Sequence, residues 1–265
     1  MRYPWGRSVF LDKRCMPIGV IDSGVGGISV LREIKKILPM ESYVYLSDIK
    51  NAPYGIKSEE EIIELTENAV KTLLLFPCKT IVIACNTATA AAINVLRKKY
   101  TDTFIVGIEP AVTPAVKEFP GEDILVLTTE ATAKTSRFNN LISVASQKSN
   151  VVCLSTQKVV SYVEAEMGDS AALVTYLKSA FSPYRSRHFS AVVLGCTHFP
   201  FARRAIEKAL GYRTCFYDGA VGAAKMVKRI IDKARLRSGE VCCAEIIWLE
   251  NGFSDMGRKF IKNNN

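Results

Sequence analysis

Short apolar runs rich in β-branched residues alternate along the chain with longer segments of helical periodicity. Apolar runs of about four to eight residues, bounded by turn or polar residues, are typical of strands buried on both faces of a sheet. Nine segments fit: PIGVID, YVYLSD, KTIVIAC, TFIVGI, DILVLT, NVVCLS, SAVVLGC, TCFYD and AEIIWL. Helical periods occupy residues 27–38, 59–75, 88–99, 132–146, 158–180, 201–209 and 220–236. The alternation predicts an α/β fold of mainly parallel sheets flanked by helices.

Two segments share one plan, which favours two similar α/β domains over a single sheet. KTIVIACNTATAAAINVLRKK and SAVVLGCTHFPFARRAIEKAL each run from a strand through a cysteine and a polar residue into a helix. Ligands of open α/β sheets bind at the carboxyl ends of parallel strands, so each half offers a binding crevice. Three prolines between residues 110 and 120 mark a boundary. The predicted domains are residues 16–112 with about 219–265, and about 113–218.

Residues 1–15 show no apolar period and contain Pro4, Gly6 and scattered charges. They are predicted to be a flexible extension before a fold that begins at Met16. The segment has no apolar core or small-residue cleavage site, which argues against a secretion signal. The longest apolar stretches, such as residues 80–92, are interrupted well before about 18 residues, so no membrane span is predicted. We therefore expect a cytoplasmic protein that does not bind membranes.

The formal charge of +9 is concentrated at the two ends of the chain. Residues 1–15 hold four basic and one acidic residue, residues 200–265 hold thirteen and seven, and the rest is balanced. A basic run near the C-terminus comprises Lys225, Lys228, Arg229, Lys233, Arg235 and Arg237. Such runs are more often solvated helix faces than polyanion sites, so binding to nucleic acid or a topoisomerase is the less favoured hypothesis.

The chain has eight cysteines, at positions 15, 78, 85, 153, 196, 215, 242 and 243. None forms a CxxC pair and none has a histidine at metal-ligand spacing, so we predict neither a metal site nor a thioredoxin motif. We expect reduced thiols, as in other cytoplasmic proteins. Most are interpreted as inert buried residues.

Cys85 and Cys196 differ from the other cysteines in their position. Each follows a predicted strand and precedes a predicted helix, so its sulfur would lie near the positive end of the helix dipole. That field is expected to lower the thiol pKa from about 8.5. His198 adds a titratable imidazole beside Cys196. We interpret the pair as two reactive thiols that act on one substrate from opposite sides.

The loop DSGVGG at residues 22–27 follows the first predicted strand. Its glycines do not make the GxGxxG pattern, so a dinucleotide site is only weakly indicated. They do allow a tight turn that would expose Asp22 and Ser23 at the same crevice. A carboxylate there is a candidate proton partner for Cys85.

Four motifs together carry a family resemblance: VIDSGVGG, APYG at 52–55, ACNTA at 84–88 and GCTHFP at 195–200. In this order and spacing, from about residue 17 to the C-terminus, the chain resembles the glutamate racemases of the aspartate/glutamate racemase superfamily. TTEAT at 128–132, YVE at 162–164 and FYDGA at 216–220 extend the resemblance. The APYG motif favours glutamate over aspartate.

The resemblance implies a cofactor-independent and metal-free isomerase that supplies D-glutamate for peptidoglycan. It implies two α/β domains related by a pseudo-twofold axis, with glutamate bound between them. Cys85 would take the α-proton of D-glutamate with help from Asp22, and Cys196 that of L-glutamate with help from His198 and Glu164. The implied substrate contacts are Asp22, Ser23, Tyr54, Gly55, Asn86, Thr87, Thr129, Thr132, Thr197 and His198.

Other assignments remain open at this point. An aspartate or broad-specificity racemase of the same superfamily is the main alternative. A one-cysteine relative, such as a decarboxylase, is disfavoured because both cysteines are present. We expect glutamate as the small-molecule partner and a homodimer as the oligomeric state.

Overall fold

A computed structural model describes residues 12–238 and 244–250 of the chain. All nine predicted strands are present, and every pair of neighbouring strands is parallel. The first sheet has the order β4-β3-β1-β2-β9. Its strands are β1 (Ile18–Asp22), β2 (Tyr43–Ser47), β3 (Thr80–Ile83), β4 (Ile105–Gly107) and β9 (Ile246–Glu250). The second sheet has the order β6-β5-β7-β8. Its strands are β5 (Asp123–Thr128), β6 (Asn150–Ser155), β7 (Ala191–Leu194) and β8 (Cys215–Asp218).

Ten α-helices are present in the described part of the chain. They are α1 (Ile28–Ile37), α2 (Glu59–Leu73), α3 (Asn86–Lys99), α4 (Val112–Glu118), α5 (Glu130–Lys134), α6 (Ser136–Ser146), α7 (Lys158–Glu164), α8 (Ala171–Phe181), α9 (Arg203–Leu210) and α10 (Ala220–Lys233). Within these residues, no helix is both long enough and apolar enough to cross a membrane. The predicted two-sheet α/β architecture is confirmed.

Three helix predictions differ from the structure for identifiable reasons. The single helix predicted at 132–146 is α5 and α6, because Thr135 between them is extended and its side chain caps α6 by accepting from the backbone N–H of Phe138. The single helix predicted at 158–180 is two helices, because the chain turns through Glu166, whose φ of 59° lies in the left-handed region. The short helix α4 was not predicted, because Pro114 was interpreted as a boundary signal. Pro114 lies in the first turn of α4, where proline costs no intrahelical hydrogen bond.

Helices cover both faces of each sheet, as buried parallel strands require. In the first sheet, α1 and α10 pack on one face, and α2 and α3 pack on the other. The second sheet has α7, α8 and α9 on one face and α4 and α6 on the other. Because α10 packs on α1 and β9 joins the first sheet, the chain returns to that unit after β8. We propose the boundaries given above, 16–112 with 219–265 and 113–218, on this basis.

Part of the expected N-terminal extension contacts the folded unit. Residues Lys13–Cys15 form a short 3-10 helix. The buried ammonium of Lys79 pairs with Glu41 and donates to the backbone oxygen of Arg14 at 2.7 Å. Ser238 Oγ donates to the same oxygen at 2.8 Å. These contacts join the segment before β1 to the chain after α10.

The expectation of reduced thiols is wrong at one position. Cys15 is disulfide-bonded. Cys78, Cys85, Cys153, Cys196 and Cys215 are free thiols, but Cys153 and Cys215 are exposed and not buried as expected. The remaining two cysteines, at positions 242 and 243, lie outside the described residues.

Removing residues 1–15 is expected to lower the free energy of unfolding by about 1 to 2 kcal/mol, because a buried ammonium loses a hydrogen-bond acceptor. A flexible extension, as the sequence predicts, would leave the free energy of unfolding almost unchanged. Urea unfolding of chains that begin at residues 1, 12 and 16 measures the contribution of residues 12–15, and a reducing agent removes the disulfide from the comparison. Equal unfolding midpoints for all three chains would show that the Arg14 contact contributes nothing.

Candidate active site

A cavity of about 400 Å³ lies between the two domains, at the carboxyl ends of their strands. Cys85 follows β3 and Cys196 follows β7, and both line this cavity. The structure thus brings the two predicted thiols to one space. The other predicted site residues that line it are Ser23, Tyr54, Gly55, Thr87, Thr129, Glu164 and His198.

Cys85 occupies the N-cap of α3, which begins at Asn86, two residues before the predicted start at residue 88. Its sulfur accepts from the backbone N–H of Ala88 at 3.5 Å and lies 3.4 Å from Ser23 Oγ. The predicted lowering of its pKa is wrong, however. Burial raises the pKa of Cys85 to about 12, the charge of Asp22 adds to the rise, and the two hydrogen bonds only partly oppose it. Cys85 is therefore a neutral thiol near pH 7.

Cys196 is the first member of a chain of polar groups. Its sulfur lies 3.7 Å from His198 Nδ1, and His198 Nε2 lies 2.5 Å from Glu164 Oε1. Burial alone would lower the pKa of His198, but its hydrogen bonds to Cys196 and Glu164 outweigh burial and raise that pKa well above its usual value. Burial would raise the pKa of Glu164, yet the contact with His198 holds it below its usual value. An imidazolium donating from both nitrogens fits this arrangement.

Asp22 lies fully buried at the end of β1, behind the cavity wall. Its Oδ1 accepts from the backbone N–H of Gly24 at 2.8 Å, and its Oδ2 accepts from Thr197 Oγ1 at 3.1 Å. Burial raises the pKa of Asp22 to about 6, while the nearby charge of His198 opposes the rise. Asp22 acts on Cys85 through its charge and on the Cys196 side through Thr197, so it connects the two thiol sites.

The glycine-rich loop after β1 lies directly against the second domain. Val25 donates its backbone N–H to Glu164 Oε1 at 3.2 Å. A Cβ on Gly24 would lie 2.2 Å from Glu164 Oε1, and one on Gly26 would lie 2.6 Å from His198 Nδ1. A side chain at Gly24 would displace the Glu164 carboxylate, and one at Gly26 would displace Thr197 or His198. The glycines therefore allow the close approach that completes the Cys196 side of the cavity.

Comparison with known proteins identifies the family. The model of the Asp/Glu/hydantoin racemase family matches residues 18–227. The chain belongs to this family. It is 40% identical over 230 residues to the glutamate racemase of Clostridium botulinum (strain Alaska E43 / Type E3), covering 87% of this chain and 89% of the relative. It is 44% identical over 223 residues to the glutamate racemase of Clostridium novyi (strain NT), covering 84% and 86%.

Solved structures of racemases share the fold. Glutamate racemase from Francisella tularensis in complex with D-glutamate superposes with a TM-score of 0.81 at 26% identity, covering 94% of each chain. Escherichia coli glutamate racemase in complex with L-glutamate and the activator UDP-MurNAc-Ala gives 0.79 at 27% identity, again covering 94% of each chain. The resemblance to glutamate racemases is confirmed.

In this racemase, three threonine hydroxyls bridge the domains beside Cys85. Thr87 Oγ1 lies 3.0 Å from Thr129 Oγ1 and 3.1 Å from Thr132 Oγ1. Thr87 and Thr129 line the cavity, and Thr132 supports them from behind.

Asn86 also lies outside the cavity wall, where its Nδ2 has no partner among the described residues. Four expected substrate contacts thus sit behind the wall: Asp22, Asn86, Thr132 and Thr197.

The APYG turn presents its backbone, rather than the Tyr54 hydroxyl, as the candidate substrate contact. Tyr54 Oη donates to Asp48 Oδ2 at 2.6 Å, and Asn51 Nδ2 donates to both oxygens of that carboxylate. The side chain of Tyr54 is buried. Asp48 therefore fixes the turn, a role that sequence reasoning missed.

Gln157 is the most informative cavity residue that sequence reasoning missed. It lies two residues beyond the end of β6, immediately before α7. The rule that pointed to Cys85 and Cys196, polar residues at the carboxyl ends of parallel strands, applies equally to this position. Other lining residues that were not predicted are Ile49, Ala52, Pro53, Val160, Ser161 and Ala165.

Proposed function

We propose that this protein interconverts L-glutamate and D-glutamate, with Cys85 and Cys196 as the two acid/base groups. The observation that carries the proposal is that one cavity is lined by both thiols, each supplied by a different domain and each with its own polar partners. Inversion at Cα removes a proton from one face and adds one to the other. Two groups on opposite sides meet that requirement without rotation of the intermediate.

In each turnover, one sulfur begins as the thiolate and the other as the thiol, and they exchange states. The imidazolium of His198 is placed to hold a thiolate at Cys196, while Cys85 is a thiol near pH 7. This state suits L-glutamate: Cys196 takes the α-proton and Cys85 delivers its own proton to the opposite face. The reverse reaction, of D-glutamate, begins with Cys85 as the thiolate and Cys196 as the thiol.

Negative charge that develops at Cα needs fixed donors in a water-poor site. Thr87 and Thr129 line the cavity on the Cys85 side, and Ser23 lies beside that sulfur. Their hydroxyls, together with backbone N–H groups at the start of α3, are the proposed donors to the α-carboxylate. No step in this scheme requires a metal or an organic cofactor.

Circular dichroism of purified protein with each enantiomer tests the proposal directly. Starting from either L-glutamate or D-glutamate, the signal should decay to zero, because the equilibrium mixture is racemic. Boiled protein serves as the control for spontaneous change. A persistent signal from both enantiomers would contradict the proposal.

Glutamate is the proposed substrate, with aspartate as the alternative. One methylene in a pocket discriminates by only about 1 to 3 kcal/mol, so selectivity requires donors at a fixed depth. Backbone N–H groups of Tyr54 and Gly55 are the proposed donors to the side-chain carboxylate. L-glutamate should then react much faster than L-aspartate, and L-glutamine poorly because it lacks the charge. Equal rates on glutamate and aspartate would favour the broad-specificity alternative.

Gly55→Ala is expected to raise KM for glutamate about tenfold with little change in kcat. A Cβ at Gly55 would lie 2.1 Å from Gln157 Oε1 and 2.9 Å from the Cβ of Thr129, so either the Gln157 side chain or the turn must shift at this end of the cavity. Initial rates measured over a range of glutamate concentrations separate the two constants. Gly222→Ala is the control, because a Cβ there meets nothing within 4 Å.

The proposal includes a homodimer in the cytoplasm that supplies D-glutamate for peptidoglycan. Light scattering of the purified protein tests the oligomeric state, and cell fractionation tests the location. Nucleic acid is not proposed as a partner. Within the basic run, Lys228 and Arg237 both pair with Asp232, which supports the interpretation of that run as a solvated helix face.

A further inference from the structure

Gln157 is a half-buried polar residue of the cavity that the mechanism above does not use. Its Nε2 and Oε1 are both buried and have no hydrogen-bond partner among the described residues. Leaving a buried donor or acceptor unpaired is unfavourable, so each such group calls for an explanation. Gln157 is also the one residue with such atoms that lines the cavity; the others in the described chain are Asn86, Thr128, Arg137 and Thr156.

The amide lies against the APYG turn. A Cβ placed on Gly55 would come within 2.1 Å of Gln157 Oε1 and 2.8 Å of its Cδ. Gln157 belongs to the second domain by sequence, whereas the turn belongs to the first. The amide therefore closes the same end of the cavity that the backbone of Tyr54 and Gly55 borders, from the opposite domain.

We propose that Gln157 is a specificity-determining residue whose Nε2–H donates to the side-chain carboxylate of bound glutamate. The inference rests on the proposed function and adds a second-domain donor to the backbone donors of the turn. A neutral amide suits this place because it offers two N–H donors without a charge that would need its own partner. Aspartate, one methylene shorter, holds its carboxylate nearer Cα and farther from this end of the cavity.

Gln157→Met tests the inference, because methionine preserves length and removes both polar atoms. KM for glutamate should rise about tenfold to a hundredfold, the range for a lost hydrogen bond to a charged group, while kcat stays within about twofold. The constants for aspartate should not change. The variant should unfold at the same or a higher temperature than the wild type, because unpaired buried atoms are removed. A merely structural role would instead lower the unfolding temperature and reduce the rates on both substrates.

Gln147→Met is the matched control. Gln147 is the chain's other glutamine, and it is exposed at the end of α6. Its replacement should leave KM and kcat for glutamate unchanged.

Gln157→Glu provides a second, independent variant. A carboxylate at this position would repel that of glutamate but could accept from the side-chain amide of glutamine. The kcat/KM for glutamate should fall about a hundredfold, and the ratio of glutamine to glutamate activity should rise.

Unchanged KM for glutamate in both Gln157 variants, with an active wild type, would overturn the inference and leave the proposed function intact. If the wild type fails to racemise glutamate, the proposed function fails instead. Calorimetric titration of D-glutamate into the wild type and into Gln157→Met then measures whether Gln157 contributes to binding. Equal affinities of the two proteins would overturn the inference even if the wild type is inactive.

Discussion

Cys85→Ser and Cys196→Ser are each expected to reduce glutamate racemisation by at least about 10³-fold, since each removes one of two groups that every turnover requires. A serine hydroxyl keeps nearly the same size but is too weakly acidic to replace the thiol. Both sulfurs line one cavity, and the thiol that remains in each variant cannot serve both faces of Cα. Circular dichroism in both reaction directions measures the loss. Full activity in either variant would contradict the two-thiol mechanism.

The two variants should differ in the half-reaction that they retain. A glutamate that carries chlorine at Cβ can eliminate chloride after a single proton abstraction. Cys196→Ser keeps Cys85 and should eliminate from the D-enantiomer, whereas Cys85→Ser should eliminate from the L-enantiomer. Cys153→Ser is the control, because Cys153 is an exposed free thiol on β6. It should racemise glutamate like the wild type.

Local pattern predicted the strands and the place of both thiols in the fold. Each of the nine strands is a short apolar run, and buried parallel strands need such runs regardless of what lies around them. The positions of the two thiols, Cys85 and Cys196, were predictable by the same rule, since the carboxyl ends of parallel strands meet at one edge of a sheet. These features depend on residues that are close in sequence.

The electrostatics of the site could not be predicted in this way. The helix N-terminus beside Cys85 is a local feature that favours a lowered thiol pKa. Burial and the charge of Asp22 instead raise the pKa of Cys85. Burial of Cys85 depends on how distant segments pack around it, including Ala131 of the second domain, and no segment of the sequence encodes that alone. Gln157 was missed for a related reason: its importance comes from having no partner in the folded cavity.

Asp22→Asn is expected to stabilise the protein at pH 7 while impairing catalysis. A carboxyl whose pKa rises from about 3.9 in the unfolded chain to about 6 in the native state destabilises the native state by about 3 kcal/mol once it is ionised. An asparagine can accept from the Gly24 N–H through its Oδ1 and donate to Thr197 Oγ1 through its Nδ2, so the site stays hydrogen-bonded without a buried charge. Racemisation should slow about 10²-fold, because Cys85 and His198 both lose the nearby negative charge of Asp22.

The sign of the pH dependence makes this prediction specific. Because the native pKa of Asp22 is raised, the wild type binds more protons when folded, and its stability falls as pH rises from about 4 through 6. The variant lacks this titration, so its advantage should vanish near pH 4 and reach its full size near pH 7. Urea unfolding at pH 4, 5, 6 and 7 measures the difference.

Asp102→Asn replaces an exposed carboxylate and should change stability by less than about 0.5 kcal/mol throughout. A variant less stable than the wild type at pH 7 would contradict the prediction, because it would show that the ionised carboxylate of Asp22 stabilises the fold.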